Sequence, residues 1–193
     1  MLPTAVKHLI IINTLAYLTY YVIGPFQHIF NINAVCGLWS IDSGYFRIWQ
    51  PITYMFMHGN FSHLFFNMFA LWMFGGVLEN FWGTRRFLFY YMACGIGAAL
   101  LYLLIPGLSL TVGASAAVYG LLLAFGMTFP NEYIYLYFLV PIKAKWFVIG
   151  YAVIELYEGF FVTDNIAHFA HLSGMLIGLI ILLWWRRHPF SRL

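Results

Sequence analysis

Long apolar segments with few charged residues recur from one end of the chain to the other. A helix needs about 20 residues to cross a bilayer whose hydrocarbon core is about 30 Å thick. The alternation of apolar and polar positions that is typical of a membrane β-barrel is absent from the sequence. The pattern predicts an all-α, polytopic membrane protein in one domain, with six transmembrane helices at residues 9–23, 62–81, 86–105, 114–129, 146–161 and 165–185. The fourth and fifth of these helices are short for such a bilayer.

The composition agrees with a membrane protein. Of the 193 residues, 63% are hydrophobic and 8% are charged, whereas about 25% of the residues in a soluble domain are charged. The first apolar segment is long enough to span, and no clear small-residue cleavage site follows it, so we do not interpret it as a signal peptide. The two cysteines, Cys36 and Cys94, are predicted to be unpaired, because one lies in a polar loop and the other within a helix.

The basic residues predict the orientation in the membrane. Of the nine lysines and arginines, Arg47 lies on one side and the rest lie on the other, namely Lys7, Arg85, Arg86, Lys143, Lys145, Arg186, Arg187 and Arg192. Because cytoplasmic loops are rich in Lys and Arg, both termini are predicted to be cytoplasmic. The aromatic-rich connection at residues 24–60 would then lie against the outer membrane interface. The net charge of +3 comes from residues at helix ends and does not indicate nucleic-acid binding.

Polar side chains cluster near the outer ends of three predicted helices. The second, fourth and sixth helices all enter the membrane from the outer side, so their first turns lie at similar depth. Polar groups at membrane depth are costly, and they usually face a protein interior or a water-filled cavity. We therefore expect one polar cluster formed by His58, His63, Asn67, Ser115, His168 and His171.

Small residues indicate which helices touch. Ala116, Gly120 and Ala124 recur every four residues in the fourth helix, and Gly174 and Gly178 do so in the sixth. Such faces allow two helix backbones to approach closely. Contact between these helices would bring the Ser115 hydroxyl within reach of an imidazole.

A serine hydroxyl becomes a nucleophile when a positioned base takes its proton. His171 is the candidate base, and Tyr119, one turn below Ser115, could pack against its ring. No carboxylate is expected beside His171, because Glu155 belongs to the fifth helix and Glu158 to the outer loop. The residues therefore predict a Ser–His dyad.

Stabilising an oxyanion requires hydrogen-bond donors aimed at the developing charge. Asn67 and His63, one turn apart on the second helix, could supply side-chain donors beside the N–H of Ser115.

In their order along the chain, these motifs resemble those of the rhomboid family of intramembrane serine proteases, in its bacterial six-span form. Residues 113–116, Gly-Ala-Ser-Ala, resemble the family's GxSG, and residues 170–178, AHLSGMLIG, resemble AHxxGxxxG. Residues 58–67, HGNFSHLFFN, resemble HxxxxHxxxN, and residues 75–83 resemble GGxxExxxG. The resemblance covers nearly the whole chain.

The resemblance implies a role for each matched residue. Ser115 would be the nucleophile, His171 rather than His168 the base, His63 and Asn67 the oxyanion donors, and His58 a structural residue. Supporting positions would be Gly113, Tyr119, Gly174 and Gly178.

The implied function is cleavage of transmembrane segments near the outer face of a bacterial inner membrane. The partners would be transmembrane substrates and the lipid bilayer, and no metal or other cofactor is implied. Substrates would enter sideways past the fifth helix and residues 159–165. The sequence does not indicate an oligomeric state or a particular substrate.

Two positions differ from the family pattern. Ala116 stands where the family usually has glycine, and its methyl group could crowd the substrate or tilt the oxyanion N–H. The family's Trp-Arg in the first loop is here Trp49-Gln50, with Arg47 two residues earlier.

Two other classes of function remain open. A metal or haem site could be built from His58, His63, His168 and His171, although no HExxH motif occurs. A non-catalytic protein that binds transmembrane helices would resemble the inactive relatives of the family, but those typically lack the serine or the histidine, and both are present here.

Overall fold

A computed structural model describes residues 2–23, 31–105, 110–136, 139–161 and 168–187. The structure is mostly helical, with 77% of the described residues in helices. Its α-helices are α1 (Thr4–Ile23), α2 (Ile32–Cys36), α3 (Gln50–Thr53), α4 (Phe61–Ala70), α5 (Gly76–Trp82), α6 (Thr84–Tyr102), α7 (Ser115–Thr128), α8 (Ala144–Phe161) and α9 (His168–Arg187). A π-helical turn at Leu71–Gly75 joins α4 to α5, so Phe61–Trp82 is one continuous helix.

A helix lies at each of the six positions predicted from the sequence, with ends that differ by a few residues. The predicted start of the sixth helix, Asn165, lies outside the described residues. Within the described part of the chain, Phe61–Trp82 and His168–Arg187 are long and apolar enough to cross a membrane, with mean hydropathies of 1.4 and 1.6. Helix α7 is apolar but has only 14 residues.

Helix α7 lies at the centre of the fold and makes its most extensive contacts with α9. A Cβ atom added at Gly174 would overlap the backbone of Ala116, and one added at Gly120 would lie 2.6 Å from Sγ of Cys94 on α6. The predicted close approach of the fourth and sixth helices is therefore confirmed. Because Gly174 leaves no room for a side chain, it sets the distance between α7 and α9.

The described part of the first loop is organised around Gln50, which is fully buried. Its side-chain oxygen accepts from the N–H groups of Trp39 and Arg47 at 3.3 and 3.1 Å, and its nitrogen donates to the carbonyls of Val35 and Tyr45 at 3.3 and 3.1 Å. The amide thus ties four points of this loop together at a position where the family usually has arginine. Residues 24–30 of the loop lie outside the described residues.

The same loop positions the segment that leads into α7. Leu38 and Thr111 exchange two backbone hydrogen bonds of 2.9 Å, and Thr111 lies four residues before Ser115.

Two aromatic residues of the first loop, Tyr45 and Trp49, are exposed, at 64% and 45%. Such exposure is typical of aromatic residues at a membrane interface.

The connection between α7 and α8 contains two paired strands that the sequence pattern did not predict. Strand β1 (Tyr133–Leu136) pairs antiparallel with β2 (Val140–Lys143), with Tyr133 opposite Lys143. Aromatic and β-branched residues favour a strand here, although the segments are too short for a clear alternation.

Both cysteines are free, as predicted. Cys94 is buried between helices, and partial burial raises the pKa of the Cys36 thiol in the outer loop.

Candidate active site

The outer ends of α4, α7 and α9 meet around Ser115, the first residue of α7. The residue before the N-cap, Gly113, has a φ of +128° and donates its N–H to the carbonyl of Tyr54 at 2.9 Å. A Cβ atom at Gly113 would lie 2.7 Å from both Cε1 and Nε2 of His63. Glycine is therefore required here twice, for a backbone conformation that L-residues rarely adopt and for the contact with the His63 ring.

His171 lies in the first turn of α9, and its Nε2 atom is 2.8 Å from Oγ of Ser115. The side chain of His171 is buried, whereas Ser115 is half-buried. The structure thus brings the predicted nucleophile and base into direct hydrogen-bond contact.

The expectation that no carboxylate lies beside His171 is wrong. Oε2 of Glu155 lies 3.0 Å from Nδ1 of His171 and 2.8 Å from Nδ1 of His168. Glu155 is only 4% exposed. It reaches His171 because α8 and α9 are neighbours in space as well as in sequence, so residues shortly before the end of α8 face the first turn of α9.

One property of the sequence could have found this contact. A carboxylate in the middle of an apolar helix is costly unless it meets a polar partner. Glu155 is such a residue, and the next predicted helix begins with two histidines, His168 and His171, that could serve as its polar partners.

Tyr119 contacts both partners of this pair. Its ring stacks on the imidazole of His171, with ring centroids 4.4 Å apart and planes 8° apart, which confirms the predicted packing. Its hydroxyl also donates to Oε1 of Glu155.

The candidate oxyanion donors lie on α4. His63 is half-buried and its ring faces Gly113. Asn67 is buried, and its Nδ2 atom donates to the backbone carbonyl of His63 at 2.8 Å. The first N–H groups of a helix have no intrahelical partner, so the N–H of Ser115 is a further donor at this point.

His58 lies in the turn before α4 and is 1% exposed. Its ring packs edge-on against that of His63, with centroids 5.1 Å apart. Burial, followed by the nearby His63 ring, lowers the pKa of His58 to about 3. A buried, neutral imidazole fits the structural role expected for this residue.

The histidines divide into two pairs rather than one four-histidine group. His168 and His171, together with Glu155, offer ligand atoms within 4.8 Å of one another, and two imidazoles with a carboxylate could hold zinc. In the structure these atoms already form hydrogen bonds with one another. His58 and His63 are not part of this set.

Ala116 is 1% exposed and lies where α7 meets Gly174 of α9. Its methyl group is therefore enclosed by the protein and is not presented on an open surface next to Ser115.

Comparisons with known proteins agree with these motifs. A family model described as the rhomboid domain matches residues 45–188. Rhomboid-like protein 11, chloroplastic, of Arabidopsis thaliana is 30% identical over 183 residues, which cover 82% of this chain and 59% of that protein. Rhomboid protease GlpG of Photorhabdus laumondii is 29% identical over 79% of this chain and 53% of its own length.

The putative rhomboid protease YdcA of Bacillus subtilis is 31% identical, over 79% of this chain and 70% of that protein. The chain spans a little more than half the length of the first two of these relatives. The match to the family model covers most of the chain and includes the segments that hold Ser115 and His171. The chain is an integral membrane protein that belongs to the rhomboid family.

Proposed function

We propose that this chain is an intramembrane serine protease that cleaves transmembrane segments of other membrane proteins near the extracytoplasmic face. The observation that supports this most directly is the 2.8 Å contact between Oγ of Ser115 and Nε2 of His171. Relatives from Photorhabdus and Bacillus are named as rhomboid proteases or putative rhomboid proteases, in agreement with this activity.

In the proposed reaction, Oγ of Ser115 attacks the scissile carbonyl carbon while Nε2 of His171 takes the hydroxyl proton. The same proton then passes to the leaving amine as the peptide bond breaks, which leaves an acyl-enzyme on Ser115. Water, deprotonated by His171, hydrolyses that ester and restores the serine.

The carbonyl oxygen becomes negatively charged during each attack. The N–H of Ser115 at the start of α7 and the side chains of His63 and Asn67 would donate hydrogen bonds to it. The amide of Asn67 would have to turn away from the His63 carbonyl to take part.

For the membrane arrangement we propose six spans with both termini in the cytoplasm. The six helices at the predicted positions and the distribution of basic residues support it. We place the protein in a bacterial inner membrane, with the site near the outer surface, where water can reach the acyl-enzyme.

A helical substrate must unwind locally before attack, because its carbonyls are engaged in backbone hydrogen bonds. We propose that it approaches past α8, which carries exposed aromatic residues, including Trp146 at 60% and Phe160 at 67%. The adjoining residues 162–167 lie outside the described residues.

The proposal is tested with purified protein in liposomes and a generic transmembrane substrate. The parent is expected to cleave, and Ser115→Ala and His171→Ala are expected to lose cleavage. Ser62→Ala and His8→Ala, at exposed positions, are matched controls that should cleave like the parent. Cleavage by Ser115→Ala at the parent rate would show that the protein is not a serine protease of this kind.

A further inference from the structure

Glu155 is a buried carboxylate that a two-residue mechanism does not use. It accepts hydrogen bonds from three side chains on two neighbouring helices, namely Tyr119, His168 and His171. Burying a carboxylate is expensive unless it is well hydrogen-bonded. Three side chains donate to this one buried carboxylate, and one of them is the proposed base. The contact therefore belongs to the folded interior and is not an incidental surface contact.

We propose that Glu155 is a positioning residue that extends the Ser–His pair to a triad, Ser115–His171–Glu155. Tyr119 and His168 hold the carboxylate in place. This inference rests on the proposed protease function and adds a third member that the resemblance to the family did not imply.

The first effect of Glu155 is to select the tautomer of His171. A neutral imidazole carries its proton on one of its two nitrogens, and the hydrogen bond made at one nitrogen decides the state of the other. Donation from Nδ1–H of His171 to Oε2 of Glu155 leaves the lone pair of Nε2 facing the hydroxyl of Ser115. The opposite tautomer would present an N–H to that hydroxyl and could not act as a base.

The second effect is electrostatic. When Oγ of Ser115 bonds to the substrate carbonyl carbon, its proton moves to Nε2 of His171 and the ring becomes positively charged. The ionised Glu155, 3.0 Å from Nδ1, stabilises that cation without taking the proton. The positive charge disappears again when Nε2 gives the proton to the leaving amine, so protons and electron pairs balance at each step.

Tyr119 couples the ring and the carboxylate. It stacks on His171 through its ring and donates to Glu155 through its hydroxyl. A shift of either partner would disturb the other, so the tyrosine fixes the plane of the imidazole relative to the carboxylate.

The test compares Glu155→Gln with the parent. Glutamine keeps the size and an acceptor oxygen but removes the charge, so kcat should fall by about 10²-fold. KM should stay unchanged, because Glu155 is buried and contacts the Nδ1 side of His171, away from Ser115. Among the described residues, the titratable and polar groups that face His171 or its partners are Glu155, His168, His63, Tyr119, Ser115, Glu158 beside His168, and Tyr151 beside Tyr119.

The matched control is Glu158→Gln, one turn further along α8. Glu158 is 38% exposed at its side chain and lies 3.6 Å from His168, so its loss should change kcat by less than about twofold. Glu155→Asp should recover part of the lost kcat. Tyr119→Phe keeps the stacking and removes the donor to Glu155, and a smaller fall in kcat is expected.

A second readout does not depend on proteolysis. In the inactive Ser115→Ala protein, ¹⁵N NMR of the histidine rings should find the proton of His171 on Nδ1, and adding Glu155→Ala should produce mixed tautomers. A proton on Nε2 in Ser115→Ala would overturn the inference even if no substrate were cleaved. If the parent cleaves and Glu155→Gln keeps the parent kcat, only the inference fails. If the parent does not cleave, the protease proposal fails and NMR still decides the role of Glu155.

Discussion

The hydroxyl of Ser115 is surrounded by residues whose small size has a structural purpose. Gly113 leaves room for the ring of His63, and the Ala116 backbone lies against Gly174. Ala114, between Gly113 and Ser115, is fully buried. A larger side chain at Gly113 or Gly174 would push one of the histidine-bearing helices away from the serine.

The replacement of the family's usual glycine by Ala116 is predicted to be neutral for activity. Because the methyl group is enclosed, Ala116→Gly should change the cleavage rate by less than about threefold. The variant should also unfold more easily, by about 1 kcal/mol, since glycine is a poorer helix former than alanine.

Initial cleavage rates and thermal unfolding in detergent measure the two effects. A tenfold or larger increase in rate would show that the methyl group crowds the substrate after all.

At the scale of helices, the contact between α7 and α9 sets the geometry of the site. The long apolar segments and the spacing of small residues were sufficient to predict the helices and this contact. They were not sufficient for Glu155, whose partner is determined by the rotation of α8 about its axis. The paired strands β1 and β2 were not predicted because strands of four residues leave too short a pattern.

Gly174→Ala tests the importance of this contact. The added Cβ would overlap the backbone of Ala116, which cannot move aside as a flexible side chain can. We expect a loss of about 2 kcal/mol in the free energy of unfolding, together with slower cleavage as Ser115 and His171 separate.

Gly150→Ala in α8 is the matched control, because a Cβ there meets nothing within 4 Å. It should leave stability unchanged or raise it by up to about 1 kcal/mol. Equal unfolding temperatures for the two variants would contradict a tight α7–α9 contact.

At the scale of the whole molecule, the arrangement in the membrane decides which compartment the site faces. The sequence predicts it through the basic residues alone, because no contact within the fold depends on which side is cytoplasmic. The first loop shows a related limit. The buried amide of Gln50 holds this loop together. This role could not be predicted from the rhomboid motif, because that motif usually has arginine at the position of Gln50.

The orientation in the membrane is tested with single introduced cysteines. The starting protein has Cys36 and Cys94 replaced by serine. Ile48 in the first loop and Leu139 between β1 and β2 are similarly exposed, at 87% and 80%. A membrane-impermeant thiol reagent applied to intact cells should label Ile48→Cys and not Leu139→Cys.

Both variants should be labelled after solubilisation in detergent, which serves as the control. Labelling of Leu139→Cys alone in intact cells would reverse the topology and place the site at the cytoplasmic face.

If Ser115 is a nucleophile activated by His171, it should react covalently with a fluorophosphonate. Parent protein in detergent is treated with a fluorophosphonate, and the modified residue is identified by mass spectrometry. We expect modification at Ser115, a large decrease in His171→Ala, and parent-like modification in the exposed-site control His8→Ala. Absence of modification at Ser115 in the folded parent, or equal modification in His171→Ala, would contradict it.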